Sequence, residues 1–162
     1  MVSDPVDEIL AQWQRERPDL DAAPMGIVGR LARLSKHWER AVQATFSDYE
    51  LRPGEFDVLA TLRRSGAPYQ LSPTALFNSM MVSSGTMTHR LDRLEQAGLV
   101  KRGPDPSDRR GTIIHLTEKG FERVEAAVES HIDTMNQLLS ALELSEREAL
   151  AMLLRKLLLS LE

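Results

Sequence analysis

Between Ser72 and Gly120 the chain changes its hydrophobic period twice, and few folds accept that order of elements. Ser72-Pro73 sets a capping hydroxyl before a proline at a first helical position, so a short helix starts there. Met80-Met81-Val82 interrupts it, and Ser83 or Ser84 can cap a second helix. In that helix Met87, Leu91 and Leu94 recur at helical spacing and form one buried stripe, with Gly98 as the left-handed stop. Leu99–Arg102 and Thr112–Leu116 then read as strands. Between them Gly103 to Gly111 carries two prolines, two aspartates and the pair Arg109-Arg110, which is turn chemistry. Two helices followed by an arginine-tipped hairpin predict a winged helix-turn-helix. The expected fold class is mainly α with a small β-wing, joined to a helical dimerisation region.

The polar face of the second helix holds Ser83, Ser84, Thr86, Thr88, His89, Arg90 and Arg93. Hydroxyls, an imidazole and guanidiniums along one face are the donors that reach phosphates and base edges in a major groove. With Arg109 and Arg110 of the turn they form the expected DNA-contacting set. The net charge of −4 is no obstacle. From Ser83 to Arg110 six Lys/Arg face four Asp/Glu, so the reading segment is +2 and the rest of the chain −6. An acidic remainder repels DNA except at the intended face, and operator affinity should fall steeply with salt.

The flanking segments are helical. Val6 to Arg15 is amphipathic with Ile9, Leu10 and Trp13 on one side, and Asp19 to Pro24 is a linker. Met25 to Ser47 keeps helical period, and Pro53-Gly54 opens a helix that Gly66 closes. After the hairpin Thr117 caps a long helix, and Ser145 with Glu148 has the spacing of a capping box for the last one. Leucines fall on nearly every face of residues 153–161, and a second copy of the chain is the expected cover. The expected organisation is an N-terminal extra helix and linker (1–24), a helical dimerisation region (25–50 and 120–162) and a DNA-binding domain (51–119).

Cysteine is absent, which excludes thiol redox sensing, cysteine catalysis and cysteine zinc sites. The four histidines show no metal-ligand spacing, so no metal or cofactor is expected. Serines occur as caps and no glycine-rich loop follows a strand, so no catalytic residue is assigned and an enzyme is not expected. Without an apolar run of membrane length or a signal-peptide pattern, the expected setting is the cytoplasm, with no membrane partner. A helical dimer that binds other proteins without reading DNA is the rival of another class.

The motif Asp105-Pro106-Ser107-Asp108-Arg109-Arg110-Gly111, followed by Leu116-Thr117-Glu118-Lys119-Gly120, resembles the wing signature of MarR-family transcriptional regulators. Arg15–Asp21, Pro24–Leu31 and Gly54–Leu59 are similar to the urate-responsive PecS/HucR branch of that family. His89 departs from the asparagine frequent at its position. The resemblance implies a homodimer on a pseudo-palindromic DNA operator, in which each recognition helix enters a major groove and each wing a minor groove. It also implies a repressor released by a small anionic aromatic ligand such as urate, held by Trp13, Asp57, Arg90 and Arg102. A regulator of efflux or catabolic genes that answers to a phenolic or other aromatic acid is the alternative. The proposed release has Asp57 paired with Arg102 until an incoming anion competes for the cation.

Overall fold

The computed structural model describes residues 3–80, 87–105 and 111–162, and these divide into two compact units, 1–41 and 42–162. In the first unit α1 (Pro5–Glu16) is capped by Asp4, whose Oδ1 accepts the Val6 and Asp7 N–H groups at 2.7 and 3.1 Å. Asp7 answers by accepting the Asp4 N–H at 2.9 Å, a reciprocal cap. Helix α2 (Ala23–Ser47) starts two residues before Met25, with Pro24 in its first turn, where a missing N–H costs nothing. Arg30 of α2 donates to Asp4 at 2.8 Å and to Asp7 at 2.6 Å, so one guanidinium ties α2 to the cap of α1. The helices approach closely at glycine: a Cβ on Gly26 would lie 3.2 Å from Leu10 and one on Gly29 3.4 Å from Val6, which is buried.

The second unit contains the end of α2, then α3 (Pro53–Arg64), β1 (Gln70–Leu71), α4 (Pro73–Ser79), α5 (Met87–Gln96), β2 (Val100–Pro104), β3 (Thr112–Leu116), α6 (Glu118–Leu138) and α7 (Leu144–Leu159). The Ser72 hydroxyl caps α4 through the Ala75 N–H at 3.1 Å, and the helix ends at Met80, as the sequence predicts. Helix α5 buries Leu91 and Leu94 and ends at Gly98, whose φ of +73° is the left-handed stop. The sheet is antiparallel in the order β1-β3-β2, with Val100 opposite Leu116 and Leu71 opposite Ile114. The core lies where α3, α5, α6 and the sheet converge. Val58, Leu59, Leu62, Leu76 and Ile114 are wholly buried there, and Phe46 stacks on Phe56 with centroids 4.1 Å apart.

Three local readings differ from expectation. Strand β1 was not anticipated, because two residues are too few to show an alternating period. Strand β2 extends to Pro104 through pairing with β3. Helix α7 starts before Ser145: the Glu143 N–H is taken by the Glu146 carboxylate at 2.8 Å, so the acidic pair two residues upstream supplies the cap.

Candidate nucleic-acid interface and ligand site

Thr88, His89 and Arg93 lie exposed on α5, and Arg90 is half-buried on the same helix. Ser83, Ser84 and Thr86, together with Arg109 and Arg110 of the hairpin turn, lie outside the described residues. Trp13 sits exposed on α1 in the first unit, with 39% of its surface open.

Helix α3 brings Asp57 and Arg90 into one electrostatic neighbourhood. Pro53 and Gly54 form the first turn of α3, and the Arg90 guanidinium lies over the bare Cα of Gly54, where an added Cβ would come within 2.5 Å of its Cζ. One turn further on, burial pushes the Asp57 carboxyl above the ordinary 3.8, although Arg90 and then Arg64 pull it down. Asp57 is thus a desolvated acid balanced against a cation of the recognition helix. Arg64 is itself turned toward the end of α4, donating to the Ser79 carbonyl and, at 3.3 Å, to the Thr61 hydroxyl.

Arg102 does not pair with Asp57. Its guanidinium binds Asp92 at 2.6 Å and also Glu95, and its backbone N–H donates to Glu95 at 2.9 Å. The expected Asp57–Arg102 pair is replaced because Asp92 and Glu95 stand three residues apart on α5, facing the start of the hairpin. The Arg102 N–H and guanidinium hold the Glu95 carboxyl below its ordinary value. The foot of the wing is therefore clasped to the recognition helix.

Arg52 and Glu55 have no role in the sequence reading. Glu55 is buried at 4% exposure; it accepts the Arg52 N–H at 2.9 Å and Arg93 Nε at 2.6 Å. Arg52, Gly54 and Glu55 line a cavity of about 690 Å³ with His89, Arg90, Asp92, Arg93 and Gln96. A glutamate three residues after Arg52, behind a helix-opening proline, has the local spacing of a cap. Its second partner, 38 residues away, has no such local signal.

The MarR family model matches residues 51–112, the span from the start of α3 to the start of β3. Over 149 residues the chain is 46% identical to the HTH-type transcriptional regulator PecS of Dickeya dadantii, covering 92% of this chain and 90% of that one. The chain belongs to the MarR family. Two solved structures are similar to this MarR-family chain at 27% identity and a TM-score of 0.71. One is a mutant of MarR from E. coli complexed with operator DNA, matched over 96% of this chain and 99% of that one. The other is BpsR from Bordetella bronchiseptica, solved for the regulation of its DNA binding by 6-hydroxynicotinic acid, matched over 81% and 91%. The MarR-family chain is accordingly a DNA-binding transcriptional regulator and not an enzyme.

Proposed function

We propose that this regulator is a homodimeric, cytoplasmic repressor that holds a pseudo-palindromic operator and is released from it by a small planar anion of the urate type. The observation that carries the reading is the Asp57–Arg90 couple over Gly54, because it joins a helix of the core to the helix that reads DNA. A planar anion needs a cation, which Arg90 offers, and an aromatic surface, which Trp13 offers. An anion arriving at Arg90 meets the Asp57 carboxylate as a like charge. Its field favours movement of α5 and adds to the burial that already pushes the Asp57 carboxyl up. Arg102 acts from the other side: clasped by Asp92 and Glu95, it makes the wing follow α5. The ligand then favours a state whose recognition elements no longer match the operator, the differential affinity that a switch requires.

DNA contact in this reading comes from Ser83, Ser84, Thr86, Thr88, His89, Arg90 and Arg93 in the major groove and from Arg109 and Arg110 in the minor groove. The first helix, the dimerisation helices and the winged domain keep the division 1–24, 25–50 with 120–162, and 51–119. An aromatic carboxylate is the second ligand class, favoured by the 6-hydroxynicotinic acid response of BpsR.

The test is displacement of a fluorescent operator duplex from the preformed complex by urate, other purines, phenolic acids and 6-hydroxynicotinic acid, read by anisotropy at fixed salt. Release by a planar anion, blunted in Trp13→Ala at unchanged DNA affinity, is the expected result. Equal release of both proteins at every ligand concentration would remove Trp13 from the site.

A further inference from the structure

Glu55 is the one charged side chain in the buried class among the described residues, and capping alone does not explain it. A cap uses one carboxylate oxygen and works from the surface, whereas a buried carboxylate is costly unless both oxygens are engaged. Here Oε2 takes the Arg52 N–H at 2.9 Å and Oε1 takes Arg93 Nε at 2.6 Å. Arg93 is itself half-exposed, and its two terminal nitrogens have no partner among the described residues. Arg93 lines the cavity of about 690 Å³ together with Arg52, whose guanidinium likewise has no partner among those residues. Asp92, the other acid of that cavity, is held by Arg102.

A guanidinium fixed through Nε offers what remains, the edge with two terminal nitrogens, and that fork matches two oxygens of a phosphate. Thr88 and His89 lie exposed on the same helix, so this edge stands beside the surface that meets DNA. We infer that Glu55 is a positioning residue that aims Arg93 at an operator phosphate, with Arg52 as the second cation of the same clamp. The inference rests on the DNA-binding reading above. Glu55 touches no DNA; it fixes the rotamer of a side chain that otherwise gives up freedom on every binding event.

The experiment uses an operator duplex selected from random sequence by the full-length wild-type protein, titrated from low to high salt. Arg93→Gln and Glu55→Gln should each weaken binding about tenfold and flatten the log–log salt dependence by about one phosphate. Because Glu55 acts through Arg93, the double variant should bind no more weakly than Arg93→Gln alone. Arg52→Ala should flatten the salt dependence further in either background. Additive losses in the double variant, or an unchanged salt slope in Glu55→Gln with native circular dichroism, overturn the clamp. If Glu55→Gln does not fold, Arg93→Gln decides: a reduced slope supports the clamp, and wild-type affinity and slope overturn it. A wild-type protein that selects no duplex would instead bring down the DNA-binding reading, and the clamp with it.

Discussion

At the scale of single residues, Gly54 separates placement from stability. A methyl group there strikes the far end of a flexible arginine and no backbone atom, while alanine in a helix gains about 0.5–1 kcal/mol over glycine. Gly54→Ala should melt within a few degrees of wild type, yet lose ligand affinity by on the order of tenfold as Arg90 is displaced. Calorimetry beside a thermal melt checks both halves. Asp57→Asn should keep ligand binding and abolish ligand-driven release, since an amide is not repelled by an anion. An acid whose folded pKa is raised gives stability that is lost as pH rises through that value, so asparagine should melt no lower than wild type at pH 7. Full release in Asp57→Asn would end its role in the switch.

His131 carries the opposite sign. Its ring lies 5.0 Å from Phe46 and 5.3 Å from Phe56, its Nδ1 is buried with no hydrogen-bond partner among the described residues, and burial lowers its pKa from 6.5. A depressed histidine contributes stability that is present above pH 6.5 and drains away as pH falls through its folded value. The melting temperature should therefore drop from pH 7 to pH 5, and the drop should shrink in His131→Phe. Identical pH profiles for the two proteins would assign the loss elsewhere.

Among elements, the contact between the wing and α6 is the least forgiving. Thr117 caps α6 through the Gly120 N–H at 3.0 Å, and the Thr117 N–H donates to the Leu99 carbonyl at 3.1 Å. A Cβ on Gly120 would lie 2.0 Å from that same carbonyl oxygen. Two backbones cannot yield as a side-chain tip does. Gly120→Ala should cost about 3 kcal/mol or more, measurable by urea denaturation. This tolerance map was only half legible in sequence. The Thr117 cap, the α4 boundary and the α5 stripe followed from local spacing, because capping and periodicity are decided within a few residues. The partners of Arg93 and Arg102 depend on which helices and strands meet. The family resemblance pairs Arg102 with Asp57, and only the meeting of β2 with α5 assigns it to Asp92 and Glu95.

For the whole molecule, the proposed homodimer has to cover the apolar side chains that a single chain leaves exposed. Helix α7 has no buried residue, with Leu153 62% and Leu159 69% exposed, and α6 also exposes Ile132 and Leu138. In the proposed homodimer these exposed apolar side chains are the seam, since large apolar surface is the mark of an interaction site. Leu157→Glu with Leu158→Glu should give a folded monomer that no longer binds operator, because two carboxylates cannot be desolvated in such a seam without several kcal/mol. Sedimentation together with operator anisotropy checks it. A monomeric variant with undiminished operator affinity would mean that the chain reads DNA as a single copy.

The clasp of Arg102 by Asp92 and Glu95 bears on how such a regulator can change. In the proposed DNA-bound form, a probe for one groove and the root of a probe for the next are fastened together, so neither can be re-aimed alone. New operator sequences are then within reach of substitutions on the exposed face of α5. New operator spacings are not; in the proposed homodimer they require the two copies to meet at a different distance. On that proposal, what the protein reads and how far apart it reads are written in separate parts of the chain, and selection can revise one without disturbing the other.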